Sequence, residues 1–517
     1  MTALSKPFID GPLVLKALAS LAVVWLLSLG AAWIAAGDFK QIAITGIVFV
    51  VVCVAATIVR DWRSGIYLFL IWLLFEDMVR KYMGNNMTIY FAKDFLAAIV
   101  YVTFLKSSRS KLSFLPPILK IALGLFVLFG IVQVFNPNSP SFVYGVLGIK
   151  LYFYYIPLLF VGYALFRSER ELRRFLFVNM GVAGVIALLG IVQSIVGLDF
   201  LNPKSGTNID ELGHLMRYTP SGLAVTRPPS VFVSDGRFAQ YIILTFILGL
   251  GTTGYLLMRG KRGRKLTYLA VGLLAVAAVM SGGRGCFTYA LTSALLIPIA
   301  LLWGAPPRAA ETYRLFKAIR RSFIVVALSL ALVTFLFPQE FGAHFSFYRE
   351  TVALDSADSE TSYRTWDYPV AEFTTALSDR EWLMGHGIGT ASLGVQYVSK
   401  FLGQSPPAFG VESGWGTLVL EYGILGLILW LGWTIVFIVS ALRVVLKLKG
   451  KATFPVGVAI VWYAFLLLFP FTWGGMPAYQ NYVLNAYFWL LAGILFRLPT
   501  LAADESLKMQ VAHGHGQ

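Results

Sequence analysis

Apolar segments long enough, or nearly long enough, to cross a bilayer recur fourteen times in this chain. They centre on 13–36, 41–59, 64–76, 88–105, 116–135, 142–165, 174–197, 236–258, 266–281, 285–304, 322–338, 414–441, 454–473 and 481–496. A hydrocarbon core of about 30 Å takes about 20 residues of helix. Inside it every backbone polar group must be satisfied within the protein. The expected fold is therefore an all-α polytopic membrane protein of about fourteen helices, with the short third segment open to a tilted or re-entrant course. Hydrophobic residues make up 57% of the chain and charged ones 13%, against about 25% charged in a soluble domain. A soluble enzyme, a secreted disulfide scaffold and a disordered chain are excluded. Cys53 and Cys286 both lie in apolar stretches without metal-ligand neighbours. The first apolar run lacks a small-residue cleavage site after a short core, so it is expected to remain as an uncleaved anchor.

The net charge of +16 does not call for a nucleic-acid partner, because its distribution is topological. Alternate connections carry Arg60 and Arg63; Lys106, Arg109 and Lys111; Arg167, Arg170, Arg173 and Arg174; then the basic groups at 259–265, 308–321 and 443–451. Together these hold 23 of the 42 basic residues. The short connections at 136–141 and 473–480 carry none. By the positive-inside rule the basic series and both termini are cytoplasmic. The expected organisation is a membrane bundle over 1–197 (spans 1–7), an outer loop over 198–235, spans 8–11 over 236–338, a large outer loop over 339–413, spans 12–14 over 414–496, and a short polar cytoplasmic tail over 497–517. Loops as long as the two outer ones are functional or disordered. The cytoplasmic side has no P-loop or dinucleotide fingerprint, and no internal repeat is visible, so chemistry or recognition is expected outside and without ATP.

Arginines at the outer boundary are the first candidates, since an unpaired cation there is costly and the guanidinium fork suits phosphate oxygens. Arg217 and Arg227 lie in the first outer loop, Arg237 opens span eight, Arg284 sits in Ser281-Gly282-Gly283-Arg284-Gly285, and Arg364 is in the large loop. Arg284 either anchors its turn by snorkelling or meets a bulky anionic ligand that the glycines admit. Arg227 precedes Pro228-Pro229, a stiff lead-in to a helix. Trp366, Trp382 and Trp415 offer flat faces for sugar rings or form the loop's own core. His386, among Gly385, Gly387 and Gly389, is either a satisfied surface residue or a contact for the substrate. Glu412, where the loop re-enters the membrane, is either a helix cap or a tuned general base. Glu421 is expected to pair or to join helices; Lys93 and Asp94 are expected to neutralise each other, and Lys150 needs a partner. His513 and His515 make no metal site.

Three ordered pieces resemble the bacterial O-antigen ligase and Wzy-type polymerase superfamily. They are Ser281-x-x-Arg284-Gly285, the outer loop with Arg364 and Trp366 followed by Leu383-x-Gly385-x-Gly387-x-Gly389, and the re-entry into Glu421-x-Gly423-x-x-Gly426. The likeness covers roughly 226–426. It implies a GT-C-like membrane glycosyltransferase at the outer face of the bacterial inner membrane. Such an enzyme uses an undecaprenyl-diphosphate-linked glycan as donor and a second glycan as acceptor, with no cofactor and no metal, and a chain-length regulator is an implied partner. Carried over residue by residue, Arg284 and Arg364 match the family arginines, and Arg227 is a looser match. With Arg237 they are expected to hold the diphosphate, while Glu412, assisted by Arg364, activates the acceptor hydroxyl. Ligases carry a His just before the re-entering span, where this chain has Glu412-Ser413. That departure favours a polymerase of exopolysaccharide or O-antigen over a ligase to a lipid A core. A flippase for the same lipid is the competing class, and a scaffold in an envelope complex a third.

Overall fold

The computed structural model describes residues 39–83, 87–107, 114–202, 215–219, 221–259, 263–304, 309–353, 363–409, 411, 414–469 and 479–514. The first expected span, Glu412 and His515 lie outside them. Among the described residues, seven helices are long and apolar enough to cross a membrane: Phe142–Leu165, Glu169–Val196, Asp235–Arg259, Arg284–Trp303, Ile319–Leu336, Gly414–Lys447 and Tyr482–Asp504. Ile44–Arg60, Pro117–Gln133 and Phe454–Leu468 are shorter apolar helices. The chain is an all-α, multi-spanning helical bundle of membrane type.

In chain order the helices are α1 (Phe39–Arg60), α2 (Trp62–Tyr82), α3 (Met87–Ser107), α4 (Pro117–Gln133), α5 (Phe142–Phe153), α6 (Leu158–Leu165), α7 (Glu169–Val196), α8 (Asp235–Arg259), α9 (Arg264–Met280), α10 (Arg284–Trp303), α11 (Ala309–Leu336), α12 (Pro338–Val352), α13 (Tyr368–Ser378), α14 (Val395–Leu402), α15 (Gly414–Lys447), α16 (Phe454–Leu468) and α17 (Tyr482–Gly514). One hairpin, β1 (Met216–Tyr218) with β2 (Ala224–Thr226), pairs antiparallel with Arg217 opposite Val225. The short third segment forms a continuous 21-residue helix, α2, capped by Asp61, whose carboxylate accepts from the Arg63 and Ser64 amides. The sixth segment is broken between α5 and α6, where Pro157 supplies no N–H. At the other end, α17 continues past 496 without a break, so Leu498 and Leu501 of the expected tail are buried.

Packing divides the helices into an interior and a lipid-facing rim. α6 crosses α17 at Gly162 and Gly493, where a methyl group on either would collide with a carbonyl of the opposite helix, Leu490 or Leu159. Around the rim, Val52 and Val59 of α1, Ile121 and Leu128 of α4, and Leu328 and Phe335 of α11 are all exposed. Such a belt is what acyl chains cover.

The large loop is folded rather than extended. Its α12 packs against β2, α9, α10 and α11; α13 lies on α15; and α14 lies on α5. The join between loop and bundle is a break in α15. Gly423 takes φ 69°, a left-handed conformation that costs a side-chain-bearing residue of order 1–3 kcal/mol, and a methyl there would collide with the Leu383 carbonyl. The backbone groups freed by the break are filled by the loop: Ile424 N–H donates to the Trp382 carbonyl at 2.9 Å and His386 N–H to the Leu420 carbonyl at 2.7 Å. Gln133 of α4 donates to the Met384 carbonyl at 2.8 Å from the other side.

Two glycines of α15 therefore separate in sign. Gly423→Ala is expected to destabilise the protein by at least about 2 kcal/mol. Gly432→Ala, at a site with no neighbour within 4 Å, is expected to stabilise it by up to about 1 kcal/mol. Thermal unfolding in detergent reads both, and equal effects would contradict the assigned break.

Candidate functional site

The hairpin delivers Arg227 to the end of the bundle where α8 and α10 begin. β2 runs into Arg227-Pro228-Pro229, and the Arg227 amide donates to the Leu215 carbonyl at 2.7 Å. Its guanidinium pairs with Asp235, the first residue of α8, at 2.5 Å. The Ser281–Gly283 turn lies directly over it: Gly282 has φ 63°, and a methyl there would stand 2.8 Å from Arg227 Cγ and 2.9 Å from the Thr226 carbonyl. This turn ends in Arg284, which opens α10 and lies over the Phe347 ring at 5.9 Å. Burial pulls the Arg227 guanidinium below its ordinary range; Asp235 opposes this, while Arg217 and Arg284 reinforce it. Arg217 and Arg284 thus stand close enough to Arg227 to act on its charge, while Arg227 itself is paired with Asp235.

α12 closes the far side. Tyr348 hydroxyl donates to the Val279 carbonyl at 2.7 Å, and its ring stacks on Phe287 at 4.3 Å. His344 is buried, with Nδ1 2.7 Å from the Glu340 carbonyl and Nε2 3.0 Å from the Thr226 carbonyl. A neutral ring donates to only one of them. Glu350 holds the hairpin turn through Ser221, at 3.2 Å to its amide and 2.9 Å to its hydroxyl.

Arg237 does not join this group. It points the other way, to Asp77 of α2 at 2.7 Å, because residues 235 and 237 lie on different faces of α8. Asp77 also binds Arg80 at 2.8 Å. The expected Lys93–Asp94 pairing is replaced: Lys93 pairs with Glu76 at 3.1 Å, and Asp94 with Lys150 at 2.6 Å. Consecutive residues of α3 face about 100° apart, so each must find its partner on a different helix. Arg80, Lys93 and Lys150 surround the Tyr90 ring at 5.1, 3.2 and 4.2 Å. The charged run Glu76-Asp77 and Arg80-Lys81, where the third apolar segment ends, is the sequence signal for this cluster.

The remaining candidates lie on the loop packed against α15. Arg364 is exposed on a π-helical turn, Tyr363–Asp367, and lies over the Tyr368 ring at 4.9 Å. Trp366 and Trp382 are exposed at 71% and 42%, available as flat surfaces. Trp415 is half-buried against Phe373, so it belongs to the packing of the loop. His386 Nε2 meets Asp379 Oδ1 at 2.9 Å, and Phe409 lies 4.8 Å from its ring. A neutral ring donating from Nε2 keeps its lone pair on Nδ1, the arrangement of an oriented general base. Glu421 is fully buried, and among the described residues no cation pairs with it. Its oxygens accept from the Ala391 amide at 3.0 Å, the Ser392 hydroxyl at 2.6 Å and the Tyr152 hydroxyl at 2.7 Å. It fastens the glycine-rich loop to α5 and α15.

Below the arginines, a small apolar crevice of about 50 Å³ lies between α8, α10 and α11, lined by Phe246, Leu250, Ala294, Pro298, Phe323 and Val326 among others. Along α10 its lining begins ten residues from Arg284 and ends at Leu301, about 15–26 Å away at 1.5 Å per residue. Among the described residues, no three His, Cys, Asp or Glu side chains converge as metal ligands. No known protein-family model matches the chain, and no curated protein matches it.

The His344 contact carries a pH dependence. The two carbonyls favour the imidazolium, but burial outweighs them and holds the ring below its ordinary 6.5. The released ring therefore binds protons more readily than the packed one. Packing of α12 on β2 is expected to be at full strength above about pH 6.5 and to weaken as pH falls below it. Hydrogen exchange of the α12 amides, corrected for intrinsic rate, is expected to quicken on acidification, and in H344Q to lose that dependence. Exchange in the native chain that does not change with pH would contradict the assignment.

Proposed function

We propose that this protein is a GT-C-like glycosyltransferase with fourteen spans, polymerising undecaprenyl-diphosphate-linked oligosaccharide units at the outer face of the bacterial inner membrane. The observation that carries the reading is the convergence of Arg217, Arg227 and Arg284 at one end of a membrane bundle, around a turn whose glycines exclude side-chain bulk. Guanidinium forks match the oxygens of a diphosphate. Charge builds on that diphosphate as the glycosidic bond breaks, so fixed cations stabilise the transition state more than the ground state. The small crevice between α8, α10 and α11 adds an apolar surface on the same helices, against which part of a polyprenyl tail can lie.

In the proposed reaction an acceptor sugar hydroxyl attacks the anomeric carbon of the donor. The bond from that carbon to the diphosphate oxygen breaks, the new glycosidic bond forms with inversion, and the lipid diphosphate leaves. His386, oriented by Asp379, takes the hydroxyl proton on Nδ1. With Asp379 as its orienting partner, His386 is the base of this reading in place of the Glu412 expected from the sequence, which lies outside the described residues. Trp366 and Trp382 supply faces for the sugars, and Arg364 assists beside them.

In proteoliposomes, Arg284→Ala and Arg227→Ala are each expected to lower polymer yield by about 10²-fold or more at unchanged protein level. His386→Gln is expected to do the same, and Glu412→Gln to leave activity within a few-fold. Normal yield in both arginine variants would overturn the proposal. Loss in E412Q with retention in H386Q would return the base to Glu412.

A further inference from the structure

We infer that Lys81 and Arg237, with Arg80 behind them, form a second anion site that takes a phosphate-class dianion. It is separate from the Arg217/Arg227/Arg284 group and independent of the proposed reaction. The inference starts from charge. Glu76 neutralises Lys93, and Asp94 neutralises Lys150. Asp77 is shared by two guanidinium groups, Arg80 at 2.8 Å and Arg237 at 2.7 Å. Lys81 donates only to a neutral acceptor among the described residues, the Ser230 carbonyl at 2.9 Å. Five cations thus face three carboxylates, and the two surplus charges localise on Arg80, Arg237 and Lys81. The helix ends do not correct the imbalance. The last turn of α2 contributes a partial negative charge and the first turn of α8 a partial positive one of about the same size.

A network that only held helices together would be built neutral, because uncompensated charge away from bulk water is costly. Here two buried polar atoms also have no hydrogen-bond partner among the described residues, Arg80 Nε and Tyr482 Oη, and Arg237 lies 4.9 Å over the Tyr482 ring. The site is open on one side: the Arg237 side chain is 24% exposed and Lys81 is partly exposed, whereas Arg80 and Asp77 are buried. Arg237 and Lys81 are therefore the groups that reach a ligand, and Arg80 and Asp77 position them.

The wall beneath is held by hydrogen bonds against backbone strain. Ser230 takes φ 52° without being glycine. Its amide donates to Gln193 at 2.7 Å and its hydroxyl to the Ile186 carbonyl at 3.0 Å, while the Val233 amide reaches Asp77 at 3.3 Å. The loop from 227 to 237 thereby carries Arg227 on one side and the Lys81/Arg237 group on the other. Lys81 and Arg237 meet the same wall, Lys81 at the Ser230 carbonyl and Arg237 at Asp77, which also accepts from the Val233 amide. A guanidinium fork and an ammonium on one wall, with two charges to neutralise, suit a tetrahedral phosphate dianion better than a singly charged planar carboxylate. A free phosphate and the phosphate of a lipid headgroup share that chemistry.

Calorimetric titration of the full chain in phosphatidylcholine nanodiscs with inorganic phosphate, and native mass spectrometry of the same nanodiscs doped with phosphatidic acid, test the inference. Lys81→Gln removes one surplus charge, keeps a donor for Ser230 and orphans no carboxylate. It is expected to weaken the K81-dependent site by about tenfold or more, and Lys81→Arg to restore it. The double variant K150Q/D94N removes a whole ion pair, keeps the surplus and is expected to stay within about twofold. Saturable phosphate binding that K81Q weakens identifies a free-anion site. Phosphatidic acid retention that K81Q weakens, without phosphate binding, identifies a headgroup site. Binding of neither, or binding that K81Q leaves unchanged, overturns the inference. Binding lost only in R284A also overturns it while leaving the proposed function standing; R284A with unchanged binding at both sites contradicts that function and not this site.

Discussion

Charge held in apolar surroundings is the constraint on which the rest of this structure depends. Fully buried Asp77 receives Arg80 from its own helix, Arg237 from α8 and an amide from the loop between them. Glu76 and Asp94 tie α3 to α2 and α5 in the same way. Removing one partner of such a pair leaves an uncompensated charge, at a cost of about 3–5 kcal/mol. Pairing therefore fixes the relative placement of four helices. It also sets the direction of the 227–237 loop, and through that loop the position of Arg227 opposite the Ser281–Arg284 turn. The arginine group follows from helices that were first located by their ion pairs.

The second organising feature is the broken helix α15. Unwinding at Gly423 leaves backbone donors and acceptors that the Trp382–His386 segment fills, and the buried Glu421 carboxylate draws in the next stretch of the same loop. A glycine-rich loop, a glycine in a helix and a buried acid thus form one device, which seats the large loop on the bundle. His386 and Asp379 are presented by it, so the candidate base is positioned by the membrane domain rather than by a free loop.

The helical membrane architecture was legible in the apolar segments, since length and composition alone decide whether a helix can span. The nearness of Arg227 and Arg284 was partly legible, because prolines and glycines mark where backbones turn and approach. Partners across the bundle were not. Lys93 and Asp94 are neighbours in sequence, yet α-helical geometry turns them to different helices, and no local pattern says which. Arg237 was read with the other outer arginines because position along the chain was known and position around α8 was not. Glu421 was read correctly as a joining residue, but beside the Tyr152 hydroxyl of α5 its partners are an amide and a hydroxyl on a loop about thirty residues away, which the break at Gly423 brings within reach. Asp379 gave no signal as the partner of His386, since the turn that brings them together depends on that same break.

The central claim is that the arginine group serves polymerisation of a lipid-diphosphate-linked glycan. Its most direct test is to incubate proteoliposomes holding the purified chain with an undecaprenyl-diphosphate oligosaccharide and to resolve the glycan products by length. A ladder with rungs one repeat unit apart is the expected result. An unchanged donor, transfer of single units only to an added lipid A core, or passage of the intact donor across the bilayer would contradict it.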